Sequence, residues 1–244
     1  MGAYAGITTS WINLSFSNSL NGLVKDGLVL ALDAGRTLSY PGSGTTWTDL
    51  SGSGNNGTLV NGVGYNSGNG GSLSFDGSND YVTLSNVLTN SGNLTYCAWV
   101  YRSVVSPNGY TNLFTSTLQN EQFQVDVTGN PGRFGVYLNG AYNSNTSNLI
   151  PLNTWVYICY QRNGTGLYGY LNGVEQFSAT TGNTAGYGYN NSTAVSRIDK
   201  IGAFSSVTSY NLNGKLGPVH MYNRALSATE ITQNFNATRS RFGI

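Results

Sequence analysis

The stretch Phe75-Asp76-Gly77-Ser78-Asn79-Asp80-Tyr81-Val82 and its later counterpart Tyr170-Leu171-Asn172-Gly173-Val174 decide how the rest of the chain is read. In each, a run of aromatic or aliphatic residues enters a tight turn of Asn, Asp and Gly, and a second run leaves it. Glycine and asparagine reach positive φ at little steric cost, whereas Val, Tyr and Phe suit a pleated surface, so the pattern reads as strand, turn, strand. Working outward, the same alternation predicts strands at 73–76, 80–84, 94–102, 111–115, 122–126, 133–138, 155–162, 166–171, 198–203 and 214–222. Leu28-Val29-Leu30-Ala31-Leu32, ending at Asp33, is a continuous rather than alternating apolar run, as a strand buried on both faces would be, and 40–71 reads as loop-rich. Many short strands joined by Gly/Asn turns predict an all-β sandwich of two antiparallel sheets.

Composition supports one packed domain. The chain is 244 residues long and 39% hydrophobic, with 17 Tyr and 9 Phe, enough to bury roughly 70–75% of the unfolded surface. Charged residues make up 9%, against about 25% in an average domain, so surface polarity must come from Asn, Ser, Thr, Gly and Tyr. A net charge of +1 without a Lys/Arg cluster argues against nucleic acid or an anionic membrane as partner, and the weak repulsion between copies favours a homo-oligomer. No apolar run approaches the ~20 residues of a membrane span, and the amino terminus lacks the pattern of a secretory signal. Cys97 and Cys159 each lie inside a predicted strand and read as buried reduced thiols, with a disulfide as the alternative.

Three regions are expected. Residues 1–22 form an uncharged arm whose Trp11, Ile12, Leu14 and Phe16 suit either an extra edge strand or docking on another subunit. Residues 23–235 form the domain. It closes with a helix over about 228–235, marked by a Ser227/Glu230 capping box and by Leu226 placed to staple onto Ile231. Residues 236–244 are a short basic tail, either solvated or touching a partner.

Chemistry is sparse. Glycoside hydrolysis needs two carboxylates about 5–9 Å apart. The glutamates are Glu121, Glu175 and Glu230; Glu230 caps the helix, and Glu121 with Asp126 stand five apart on a strand and so face opposite sides. The single histidine, His220, lies in a predicted strand without a nucleophile context and reads as half-buried. Cys97, Cys159 and His220 lack zinc-ligand spacing. Calcium is the one metal that the ligand chemistry admits, at Asp76, Asn79 and Asp80, where the competing reading is a turn closed by side-chain to backbone hydrogen bonds. No other cofactor is expected. Aromatic rings beside Asn and Gly in loops suit sugars, which present apolar faces and dense hydroxyls: Tyr187, Tyr189 and Asn190 first, then Tyr110 and Tyr142. Closing the sandwich ends or forming a protein interface is the competing use of these tyrosines.

The ordered set of motifs resembles the laminin-G-like, concanavalin-A-like jelly rolls over about residues 23–235: Phe-Asp-Gly-x-x-Asp-Tyr-Val at 75–82, a strand ending in Ala98-Trp99-Val100, Trp155 opening a strand, Tyr170-x-Asn172-Gly173, and Arg224-Ala225-Leu226-Ser227-Ala228-Thr229-Glu230-Ile231 at the close. The resemblance implies a concanavalin-A-like jelly-roll sandwich with one short C-terminal helix. It also implies that some members bind calcium and many do not. The Glu-x-Asp-x-x-Glu strand motif of hydrolases on this fold is absent. The opening Val24-Lys25-Asp26-Gly27-Leu28-Val29-Leu30-Ala31-Leu32-Asp33-Ala34-Gly35, followed by Ser39-Tyr40-Pro41-Gly42-Ser43-Gly44-Thr45-Thr46-Trp47, is similar to laminin-G-like proteins of tailed bacteriophages. It implies a non-enzymatic virion structural protein, made in the host cytoplasm and displayed on the particle as capsid decoration or head fibre. Such a protein would contact other virion proteins through its arm and weakly adhere to cell-surface glycans. A tail-fibre or host-surface carbohydrate-binding lectin is the alternative, and a glycan hydrolase comes third.

Overall fold

The computed structural model describes residues 20–90, 93–116, 121–127, 130–138, 141–144, 149–164, 166–179, 196–204 and 209–244. Among them run sixteen strands: β1 (Leu28–Leu32), β2 (Thr46–Trp47), β3 (Gly57–Val60), β4 (Gly64–Asn66), β5 (Ser72–Asp76), β6 (Tyr81–Asn90), β7 (Leu94–Arg102), β8 (Thr111–Thr115), β9 (Glu121–Val127), β10 (Asn130–Leu138), β11 (Ala141–Ser144), β12 (Trp155–Asn163), β13 (Gly166–Leu171), β14 (Val174–Ala179), β15 (Ser196–Ile201) and β16 (Asn213–Tyr222). Helix α1 (Ala228–Thr238) follows, and a 3-10 turn at Arg239–Phe242. The strands form two antiparallel sheets. One is ordered β14-β13-β12-β7-β16-β5-β4, with β1 also paired to β16, and the other β11-β10-β9-β8-β15-β6-β3-β2. This is the expected jelly-roll sandwich with its late helix.

Period-two alternation sorts the side chains. In β7, Leu94, Tyr96, Ala98 and Val100 enter the core between the sheets, where they meet Phe114, Phe123, Val125 and Phe134 of the facing sheet. Cys97 and Trp99 point the other way, beside Trp155, Tyr157 and Cys159 of β12, under Ile231 and Phe235 of α1. The first sheet is therefore apolar on both faces because the helix covers the outer one. Strand β16 shifts register between Leu216 and Val219, and its two halves pair with β5 and β1 along the same edge.

The Asn172-Gly173 turn is the middle of a hairpin. Asn172 and Gly173, at φ 51° and 82°, connect β13 to β14 with Leu171 opposite Val174, and β10 pairs with β11 with Leu138 opposite Ala141. Strands β11 and β14, like the two- to four-residue β2, β3 and β4 inside the stretch read as loops, were absent from the expected set. Runs of two to four residues, as in β2, β3, β4 and β11, carry few residues to display a period, and β14, six residues long, was missed although its turn was read.

The cysteine expectation is corrected. Cys97 and Cys159 form a disulfide, with Cα atoms 4.1 Å apart. They occupy directly opposed positions of β7 and β12 on one face, and only the pairing register reveals that. His220 is also corrected from half-buried to buried, at 2% exposure.

The capping box forms as expected, Ser227 Oγ accepting from the Glu230 backbone N–H and Glu230 accepting from the Ser227 N–H, with Leu226 and Ile231 buried together. Arg224 clasps the same carboxylate with both guanidinium ends, at 2.6 and 3.0 Å, and this pulls its pKa down to about 2. The helix extends beyond 235, and residues read as tail pack: the Phe242 ring stacks on Trp99 at 4.1 Å, while the Trp99 indole N–H donates to Thr238 Oγ1 at 2.7 Å. At the other boundary, Leu20 and Leu23 are buried against Ala31, Leu50 and Ala237. Trp11, Ile12, Leu14 and Phe16 lie outside the described residues.

Candidate functional site

On β9, Phe123 and Val125 point into the core, so Gln122 and Gln124 take the outer face of the second sheet. Register places Gln124 opposite Asn112 and Gln122 opposite Thr115 on β8. The Gln124 amide donates to Asn112 Oδ1 at 3.0 Å and to Gln122 Oε1 at 2.8 Å, making a ladder of three amides. Thr115 Oγ1 donates to the Ala203 carbonyl at 2.8 Å, and the Asn112 N–H donates to the Tyr210 carbonyl at 2.8 Å. These two bonds hold the segment after β15 against this face.

Three rings stand at the edge of the ladder. Tyr110 meets Tyr210 edge-on with centroids 5.5 Å apart, and Tyr210 meets Phe204 edge-on at 5.4 Å. All three are half-buried. Tyr210 has φ 59°, a left-handed conformation that costs an aromatic residue energy and must be held by its surroundings. The rings offer a partly exposed apolar face for stacking, whereas the ladder amides, at 0–8% exposure and bonded to one another, brace the sheet beneath them.

Of the expected sugar contacts, Tyr110 is part of this corner. Tyr142 lies on β11 opposite Tyr137, which in turn is opposite Gln122, so its backbone belongs to the same sheet two strands away. Tyr187, Tyr189 and Asn190 lie outside the described residues. Tyr210, Phe204, Asn112, Gln122 and Gln124 were not anticipated; the alternating Gln122 and Gln124 in a predicted strand were the one available signal.

Asp76, Asn79 and Asp80 form the turn. Asp76 Oδ1 accepts from the Ser78 N–H at 2.7 Å and the Asn79 N–H at 3.4 Å, and Asp80 Oδ2 accepts from the Asp76 N–H at 3.1 Å. Burial raises the Asp80 pKa, and the nearby Asp76 charge adds to that. One oxygen of each carboxylate closes the turn onto backbone N–H groups, and among the described residues no three acidic, His or Cys side chains converge as metal ligands.

The pair weighed for hydrolysis, Glu121 and Asp126, is buried, each carboxylate residue at 1% exposure. Asp126 is in a buried ion pair with Arg102, and Glu230 holds the helix start. His220 lines a cavity of about 20 Å³ with Asp33, Arg241, Leu20 and Leu50, room for about one water. Burial lowers its pKa to about 4; Asp33 opposes that shift and Arg241 adds to it.

Comparison with known proteins places the fold. Domain 4 of AbnA, an extracellular arabinanase from Geobacillus stearothermophilus solved with arabinotriose, aligns with a TM-score of 0.63 at 17% identity, over 85% of this chain and 97% of that one. Trypanosoma rangeli sialidase with the inhibitor DANA aligns with a TM-score of 0.66 at 13% identity, over 95% of this chain and 39% of the sialidase. The binding domain of Paraclostridial Mosquitocidal Protein 1 aligns with a TM-score of 0.61 at 17% identity, over 87% and 52%. No curated protein matches by sequence. The family described as Concanavalin A-like lectin/glucanases superfamily, of laminin-G type, matches residues 76–232, well over half of the chain. The chain belongs to that family.

Proposed function

We propose that this domain is a non-catalytic glycan-binding module that uses the corner formed by Tyr110, Tyr210 and Phe204. The observation that carries the reading is the set of three half-buried rings packed edge to edge, braced by the buried Gln122–Gln124–Asn112 amide ladder. The commitment of Asp126 to Arg102 and of Glu230 to Arg224 supports binding over hydrolysis, because neither carboxylate is placed to share a glycosidic bond with a partner. The pattern at 24–47 supports display on a tailed-phage particle, as capsid decoration or head fibre, with a host-surface lectin on a tail fibre as the alternative. Glycan-array binding of the wild type and of Tyr110→Ala/Tyr210→Ala tests the site. Binding lost in the variant supports it, and binding unchanged moves the ligand elsewhere. Peptide mass spectrometry of purified particles tests the placement.

A further inference from the structure

We infer that Asp126 is the positioning residue of this corner, holding the loop that carries Tyr110 in its binding conformation; the inference rests on the glycan-binding reading. Asp126 lies within β9 between the paired Val125 and Val127, at φ 58°, a left-handed backbone that aspartate adopts more readily than most residues. Its side chain is 1% exposed, so its charge needs a partner and its oxygens need donors. Both needs are met from three separate segments. Oδ1 accepts from the Arg102 guanidinium at the end of β7 and from the Gly132 N–H at 2.8 Å, and Oδ2 accepts from the Ser106 N–H at 3.2 Å.

From Ser106 the tether continues to the ring. Ser106 Oγ donates to the Tyr110 carbonyl at 2.5 Å, closing the 106–110 turn, and the Tyr110 ring then meets Tyr210. Gly132 locks the other side. At φ 82° it needs no side chain, a Cβ there would stand 2.8 Å from the Ile150 carbonyl, and its own carbonyl accepts from the Ile150 N–H. Asp126 thus ties the loop to β7 and β9 through Ser106. A ring fixed before the ligand arrives avoids the ordering cost of binding.

The test compares three full-length variants for glycan affinity, melting temperature and amide hydrogen exchange at Ser106 and Tyr110. The paired substitution Asp126→Gly/Arg102→Met removes the acceptors, leaves no buried charge and suits the positive φ at 126. Its expected result is a folded domain with a lowered melting temperature, because the Ser106 and Gly132 N–H groups lose their acceptor, together with faster exchange at Ser106 and Tyr110 and affinity reduced about 2- to 10-fold. Ser106→Ala, which cuts only the second link, should weaken binding in the same range, and Ser106→Thr should rescue it. Wild-type exchange and affinity in the paired variant would overturn the inference. So would Ser106→Ala binding as the wild type does, or Ser106→Thr failing to rescue. If the paired variant does not fold, the two Ser106 variants decide. If the wild type binds no glycan, the reading of function fails, and the exchange rates alone still decide whether Asp126 positions the loop.

Discussion

Replacing Phe242 with alanine separates a packed carboxyl terminus from a solvated one. The ring is 7% exposed and lies between two indoles, 4.1 Å from Trp99 at 21° and 4.7 Å from Trp155 at 51°. Truncating a buried phenylalanine costs about 3–5 kcal/mol. The lower end applies here, because Phe242 sits in a four-residue 3-10 turn that can shift and the neighbouring rings can partly close the gap. In a domain of this size each kcal/mol lowers the melting temperature by about 2–4 °C, so a loss near ~3 kcal/mol corresponds to roughly 6–12 °C. Differential scanning calorimetry measures it, and near-ultraviolet circular dichroism should report the altered Trp99 and Trp155 environments. Ile244→Ala is the control; that side chain is 42% exposed, and the change should stay within about 0.5 kcal/mol. A Phe242→Ala melt within about 2 °C of the wild type would refute the clasp and return these residues to a solvated tail.

Two further outcomes follow from buried groups. Cys97 and Cys159 should give no free thiol when the protein is denatured without reductant, and Cys97→Ala/Cys159→Ala should lose about 4 kcal/mol, the chain-entropy value for a 62-residue separation; two titratable thiols would contradict the disulfide. His220 titrates near 6.5 when unfolded and near 4 when folded, so the unfolded chain binds more protons between those values. Its stability contribution is complete above pH 6.5 and is lost as the pH falls through about 4, a change of order 3 kcal/mol that His220→Gln should abolish. As the only histidine it gives one imidazole signal by NMR, and a folded-state midpoint near 6.5 would refute the burial argument.

What the amino-acid order determined by itself is whatever a few adjacent residues can encode. The Asn172-Gly173 turn, the alternation of β7 and β12 and the Ser227/Glu230 cap were legible because a positive φ, a two-residue period and a capping bond are each completed within one turn or one strand. The short β2, β3 and β4 were not, since two to four residues cannot display a period and are held by strands paired from elsewhere. The candidate site was legible only as Tyr110 and in the alternating Gln122 and Gln124 of an expected strand, whereas Tyr142 was read in a loop and lies on β11. Its other half depends on which strands lie side by side. Tyr210 reaches Tyr110 across a hundred residues because β8 and β15 are neighbours, and Gln124 reaches Asn112 because β8 and β9 share a register. The disulfide, the Asp126 tether and the Phe242 clasp share that dependence. Each joins groups distant along the chain, and burial fixes such contacts through the closure of two sheets and a helix around one core, an event that no local stretch of sequence contains.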